Sequence, residues 1–181
     1  MKARIACTVI FLYAWSMGPV AAQQQAPAMP PTTSMDEMHT PAPPAGPLQV
    51  AFDGKSSTWT AATLAALPHV TITVHNEHTK ADETYSGVPL IALLTPLGVS
   101  DKPRGKQLRL YVVAAGSDGY EAVYAIGEVT PDVHDATVMV ADMEDGKPIT
   151  ADGPLKLVAT GEKRPARWVR NLVAIDVKTA Q

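Results

Sequence analysis

The stretch GPLKLVATGEKRPARWVRNLVAIDV, residues 153–177, decides the fold and holds most of the candidate site. Apolar residues alternate with others at both ends of the stretch, over residues 155–159 and over residues 173–177. A period of two is typical of strands that bury one face. The sequence therefore predicts two strands, with the segment between them at the tip of a hairpin.

That intervening segment collects positive charge around Trp168. Its four cations are Lys163, Arg164, Arg167 and Arg170. Arg presents paired donors that suit phosphate or carboxylate, which predicts an anion-binding site. A solvated loop, in which Trp168 packs at the core edge and the Arg stems cover it, explains the same residues. The sequence leaves both interpretations open.

The N-terminal segment has the pattern of a Sec-type signal peptide. Lys2 and Arg4 precede a short apolar run at residues 5–15, and small residues at 20–22 suit cleavage after Ala22. The run is too short for a membrane span. We therefore expect residues 1–22 to be a signal peptide, and the protein to be periplasmic or secreted with no transmembrane segment.

Residues 23–46 are rich in Pro, Gln and Ala, which favours an extended, disordered linker. A linker that holds the domain off a surface is one interpretation. A soft-metal tether is the other, and it would use Met29, Met35, Met38 and His39. From residue 47 to residue 181 the composition becomes globular and suits one domain with one core.

Charge and cysteine content exclude several classes of protein. The sequence has 15 Lys and Arg against 18 Asp and Glu, and the loss of Lys2 and Arg4 would make the remainder more acidic. We therefore expect no nucleic-acid binding. The single cysteine, Cys7, lies in the predicted signal peptide. The mature chain is thus expected to have no disulfide, no thiolate metal ligand and no cysteine nucleophile.

Hydrophobic periodicity predicts the remaining elements. Thr60 can cap a short helix, and a second helix has its apolar stripe at residues 90, 93, 94 and 97 and a cap at Gly98. Alternating segments predict strands at residues 48–52, 70–74, 83–85, 108–112, 120–126 and 138–141. The sum is about seven to nine strands and two short helices, hence a β-rich α+β fold.

Two groups of side chains have metal-ligand chemistry. His75 and His78 are three residues apart, which suits a metal-binding turn or two exposed hairpin histidines. A hard cation such as Ca²⁺ would suit the acidic group at residues 142–152, although two polar turns explain it as well. That group consists of Asp142, Glu144, Asp145 and Asp152.

Tyr120 and Tyr124 are expected on one strand face with Ile126. They would form either a stacking wall for a flat ligand or part of the core.

Several short motifs follow one another between about residue 60 and residue 177. They are SGVPL at 86–90, SDGY at 117–120, GKPI at 146–149, GPLKLV at 153–158 and the basic segment at 163–170. In order and spacing they resemble the molybdopterin-binding domain of the sulfite-oxidase-type oxidoreductases. The resemblance implies a β-rich mixed fold with molybdopterin in a pocket made by several loops. It also implies that Arg164, Arg167 and Trp168, within the basic segment, hold the pterin and its phosphate.

The sequence departs from that family at the metal ligand. Active members supply a cysteine thiolate from the strand ahead of the SGVPL segment, and that position falls near Val74. Neither Val nor a neutral His replaces the charge of a thiolate. The family's cofactor is also inserted in the cytoplasm, whereas a Sec-type leader exports an unfolded chain.

Together these features predict an exported molybdopterin-binding oxidoreductase-like domain. It would bind a pterin-like or other anionic ligand without full molybdenum redox activity, and whether it is an enzyme stays open. The alternative is a non-catalytic protein-interaction module that uses the basic face at residues 163–170.

Overall fold

The computed structural model describes residues 46–76 and 80–181. The predicted signal peptide, all but the last residue of the predicted linker, and His78 lie outside this part of the chain. Within it, no helix is both long enough and apolar enough to span a bilayer.

The described residues form ten strands and two short α-helices. In chain order they are β1 (Leu48–Phe52), β2 (Lys55–Trp59), α1 (Ala61–Leu64), β3 (Val70–Asn76), β4 (Ala81–Pro89), α2 (Leu90–Leu94), β5 (Leu110–Gly116), β6 (Glu121–Ala125), β7 (Val138–Glu144), β8 (Lys147–Pro148), β9 (Lys156–Ala159) and β10 (Leu172–Thr179). Short 3₁₀ turns occupy Thr95–Leu97, Gly105–Arg109 and Ile126–Val129. The strand-rich α+β class predicted from the sequence is confirmed.

The strands form two sheets. The first sheet has the order β2-β1-β10-β5-β6, in which β1 and β10 are parallel and the other neighbours are antiparallel. The second sheet has the order β3-β4-β7-β8 and is antiparallel, with β9 also paired to β7. The main core contains side chains of both sheets and of α2. A smaller apolar cluster, with Tyr85 and Val158, forms separately.

Several local predictions are confirmed. Thr60 caps α1 by accepting from the Thr63 N–H, and β1 has the predicted bounds. Helix α2 buries its apolar stripe and passes into a 3₁₀ turn at Pro96. Gly98 ends that turn at φ +108°, a conformation that glycine adopts without strain.

The two predicted strands do not pair as a hairpin ladder, although Leu157 and Val169 form one antiparallel bridge. Strand β9 pairs with β7 in the second sheet, whereas β10 lies between β1 and β5 in the first sheet. The segment between them, residues 160–171, therefore connects the two sheets, and we call it the crossing loop. All four residues of β9 are buried, because Leu157 packs in the main core and Val158 in the smaller cluster.

Other boundaries also differ from the prediction. Strand β2 was not predicted, because KSSTW is a polar edge strand without apolar alternation. Strand β4 continues to Pro89, which precedes α2 instead of lying in its first turn. Leu108 is exposed in a 3₁₀ turn, so β5 begins only at Leu110.

Candidate functional site

The second sheet fixes one side of the crossing loop. The backbone of Val169 exchanges two hydrogen bonds with that of Leu157, at 2.8 and 3.1 Å. The indole Nε1 of Trp168 donates to the carbonyl of Ala159 at 2.9 Å, and its ring meets the Tyr85 ring edge to face at 5.4 Å. Trp168 is thus held against β4 and β9.

The first sheet fixes the other side of the loop through two tyrosines of β6 and its preceding turn. Tyr124 is buried, and its hydroxyl donates to the Arg167 carbonyl at 2.6 Å. Tyr120 is 41% exposed, and its hydroxyl donates to the Ala166 carbonyl. The core interpretation is therefore confirmed for Tyr124, whereas Tyr120 lines a cavity. Both hydroxyls in addition anchor the loop backbone.

Arg167 turns its guanidinium toward the first sheet. Its Nε donates to Glu162 at 2.7 Å, its Nη2 to Glu128 at 3.0 Å and its Nη1 to the Val123 carbonyl at 3.1 Å. The guanidinium lies 4.5 Å from the centre of the Tyr124 ring. Partial burial alone would raise the pKa of Glu128, but the Arg167 hydrogen bond lowers it below its usual value. The guanidinium of Arg167 therefore forms its hydrogen bonds within the protein, to Glu162, Glu128 and Val123.

Two cavities lie beside the crossing loop and share four lining residues. Cavity 1 has a volume of about 410 Å³ and cavity 2 of about 350 Å³. The shared residues are Asn76, Glu83, Pro165 and Trp168. Both volumes are in the range of small-molecule sites.

A buried lysine forms part of the wall of cavity 1. Lys156 is 7% exposed, and its Nζ lies 2.6 Å from Asp152 and 3.0 Å from the Tyr85 hydroxyl. The same ammonium lies 4.8 Å from the Tyr85 ring centre and 5.4 Å from that of Trp168. These distances allow cation–π attraction in addition to the ion pair. Lys156 thus places a fixed positive charge beneath an aromatic wall.

Tyr85 links this lysine to two carboxyl groups. Its hydroxyl lies 2.7 Å from Glu144 and 2.9 Å from Glu83. Burial, together with the hydrogen bonds to Glu144 and Glu83, raises the pKa of Tyr85 far above its ordinary value. The phenol therefore stays protonated and acts as a hydrogen-bonding link.

Cavity 1 contains both signs of charge. Its cations are Lys156 and Arg170, and its carboxylates are Glu83, Asp118 and Asp152. Arg170 is 57% exposed and lies 3.7 Å from Asp152. The cavity therefore offers both donors and acceptors and is not purely cationic.

Cavity 2 lies between β3 and the first half of the crossing loop. Its lining includes Thr73–Asn76 on one side and Lys163 and Arg164 on the other. Both of these cations are exposed, and neither forms an ion pair with any residue in the described ranges. They are free to meet an anionic group.

The predicted site residues are thus divided among three places. Trp168 borders both cavities, Lys163 and Arg164 line cavity 2, and Arg170 lines cavity 1. Arg167 lines neither cavity. Val74, where the resemblance places the metal's thiolate, lines cavity 2. The cofactor-binding role of these residues stays a prediction.

Of the two predicted metal groups, His78 lies outside the described residues, and the other members each contact a partner of their own. The Nδ1 of His75 lies 2.8 Å from Asp82. The four acidic residues face four different partners, which are His69 for Asp142, Tyr85 for Glu144, the Thr84 N–H for Asp145 and Lys156 for Asp152. Residues 46–76 and 80–181 contain no cluster of three or more His, Cys, Asp or Glu that could hold a metal ion.

Sequence reasoning missed Lys156, which lines cavity 1, and its hydrogen-bond partner Tyr85. Lys156 was assigned to the outer face of a strand, and Tyr85 only to a short return strand. The signal that was available is a lysine within the otherwise apolar PLKLV run. A lysine inside a buried strand requires a partner charge, which Asp152 supplies four residues earlier.

No protein-family model matches this chain, and no curated protein sequence matches it. Among solved structures, the sulfane dehydrogenase SoxCD from Paracoccus pantotrophus is similar at 22% identity, with a TM-score of 0.57. The match covers 74% of this chain and 39% of the SoxCD chain, so this chain spans about two fifths of the length of that one. At this identity the likeness shows a shared fold.

Proposed function

We propose that this protein is an exported ligand-binding domain of the sulfite-oxidase molybdopterin-domain type, which binds a flat nitrogen heterocycle of the pterin class in cavity 1. The fold shared with SoxCD and the order of the sequence motifs support the domain type. The observation that carries the ligand class is the buried Lys156 beneath the ring of Trp168 in a cavity of about 410 Å³.

The polar groups of cavity 1 complement the edge of a pterin. A 2-amino-4-oxopyrimidine ring presents neighbouring N–H donors, which a carboxylate accepts, and a carbonyl oxygen, which an ammonium or guanidinium binds. Asp118, Asp152 and Glu83 supply the carboxylates, and Lys156 and Arg170 supply the donors. Trp168 and Tyr120 provide the aromatic walls for stacking.

The residues present fit the pterin part of molybdopterin and do not fit its metal. When bound with its metal, molybdopterin would supply redox chemistry at molybdenum. The resemblance places the metal's thiolate ligand at Val74, and Cys7 is the single cysteine of the sequence. A valine supplies neither charge nor sulfur, so we propose ligand binding without oxygen-atom transfer.

Fluorescence titration of the full chain with unsubstituted pterin tests the ligand class. Saturable quenching of tryptophan emission is expected, and Trp168→Phe should abolish most of it. Trp59→Phe is the matched control, since Trp59 lies in β2 and its Nε1 donates to Ser57. Absent saturation, or equal quenching in both variants, would refute the heterocycle site. Stoichiometric molybdenum in protein purified from its own compartment would refute the metal-free part of the proposal.

The protein-interaction module remains the second candidate. It is favoured by Lys163 and Arg164, which have no ion-pair partner in the described part of the chain.

A further inference from the structure

Strand β3 is the outermost strand of the second sheet. Strand β4 borders one of its edges, and no strand of the described ranges borders the other. Such an edge presents backbone N–H and C=O groups that can pair with another chain.

The hydrogen bonds of β4 reveal which residues of β3 face outward. The Thr84 N–H donates to the Asp145 side chain at 2.9 Å, and the Thr84 carbonyl accepts from the Asp145 N–H at 2.7 Å. Thr84 therefore directs its backbone groups away from β3, and it is the residue paired with Thr73. In an antiparallel ladder, both members of such a pair point away from each other. The N–H and C=O of Thr73 thus lie on the open edge, and by alternation so do those of His75.

Cavity 2 contacts the second half of this strand. Four consecutive residues of the strand, Thr73–Asn76, line it. Successive side chains of a strand point to opposite faces. Val74 and Asn76 share one face with Glu83 of β4, which also lines the cavity, so the cavity covers that face and reaches the backbone of Thr73 and His75 at the open edge. The stretch is long enough for about four residues of an added strand, roughly 13 Å at 3.3 Å per residue.

The opposite wall determines which charge the added strand would carry. Lys163 and Arg164 stand there without ion-pair partners in the described ranges, whereas Glu162, the acidic residue beside them, is bonded to Arg167. Strand β6, one of the two outer strands of the first sheet, differs, because Arg167 itself donates to its Val123 carbonyl. An open edge and two available cations therefore coincide at β3.

We propose that cavity 2 binds an extended acidic peptide segment, which adds to β3 as a further strand and places its carboxylates against Lys163 and Arg164. This proposal specifies the interaction-module candidate, on which it rests, and it does not depend on heterocycle binding in cavity 1.

The test uses the full chain and a blocked five-residue peptide of alternating glutamate and valine, with binding measured by calorimetry. Thr73→Pro removes an outward N–H that makes no β3–β4 hydrogen bond, so affinity should fall at least about tenfold while the fold is kept. Thr73→Ala is the matched control, since it removes the γ-methyl and the hydroxyl that contacts Thr84 but keeps the backbone N–H, and it should stay within about twofold of wild type. Lys163→Glu and Arg164→Glu should each weaken binding about tenfold or more.

Near-ultraviolet circular dichroism and the thermal midpoint show whether Thr73→Pro is folded. If it is not, His75→Pro with His75→Ala as its control replaces it. Undiminished binding by the folded proline variant would overturn strand addition. Equal affinity for the same peptide with lysine in place of glutamate would also overturn the proposal. A third contrary result is displacement of the peptide by inorganic phosphate with equal affinity in wild type and the proline variant, which would indicate an anion site only. If the wild-type protein binds the peptide but does not bind pterin, the proposed function is refuted and the peptide proposal is not.

Discussion

Replacing Lys156 by methionine keeps the length of the side chain and removes the ammonium that joins Asp152 to Tyr85. The Nζ–carboxylate distance is 2.6 Å, and the side chains of Lys156 and Asp152 are 9% and 21% exposed. Both groups are largely withdrawn from water, so Asp152 would lose its main compensating charge.

The expected loss of stability follows from these values. Removing one partner of a buried ion pair costs about 3–5 kcal/mol. Two features reduce the cost here: Asp152 keeps some contact with water, and Arg170 lies 3.7 Å from it. We therefore expect Lys156→Met to lower the free energy of unfolding by about 2–3 kcal/mol.

Urea denaturation at pH 7 measures this change, and a second substitution identifies its cause. Adding Asp152→Asn removes the uncompensated carboxylate, so the double variant should recover about 1 kcal/mol or more relative to Lys156→Met. Arg170→Met is the control at a 57% exposed cation, and it should change stability by less than about 0.5 kcal/mol.

Two results would refute the reasoning. Lys156→Met within about 0.5 kcal/mol of wild type would show that the ammonium is not held as a buried charge. A double variant that is less stable than Lys156→Met by the full cost of Asp152→Asn would show that the two side chains are not coupled.

Two further predictions concern other polar clusters. Arg167→Lys keeps the charge but loses the planar guanidinium that reaches three acceptors. It should destabilise the protein by about 1 kcal/mol, a value kept low because the side chain is 39% exposed. Arg164→Lys is the control and should change stability little; equal urea midpoints for Arg167→Lys and wild type would contradict a stabilising role of the Arg167 hydrogen bonds. His69 places Nδ1 2.7 Å from a carbonyl and Nε2 3.2 Å from both Asp142 oxygens; burial alone would lower its pKa, but these acceptors raise it above 6.5. The imidazolium therefore contributes stability that is complete below pH 6.5 and is lost as the pH rises through the folded-state pKa. Unfolding measured from pH 5.5 to 8.5 should show this loss in wild type and not in His69→Gln, and identical profiles would exclude the charged pair.

The local pattern of the chain was sufficient for much of the fold. Alternation predicted β1 and β3, the stripe at residues 90, 93, 94 and 97 predicted α2, and Gly98 predicted the end of the 3₁₀ turn that continues α2. These features follow from neighbours a few residues apart, for which sequence carries the information directly. The family resemblance implied a pocket beside the basic segment at residues 163–170, although not which of its cations line a cavity.

Only the tertiary structure decided where the crossing loop lies and what its charges do. A period of two identifies a strand but not its partner, so β9 and β10 read as a hairpin although they belong to different sheets. The partner of a charged side chain is likewise set by long-range contacts. Arg167 pairs with Glu128 and lines neither cavity. Lys156 is a buried cation because β9 packs against a core on both faces. Such contacts join residues far apart in sequence, and they are fixed by sheet pairing and not by local pattern.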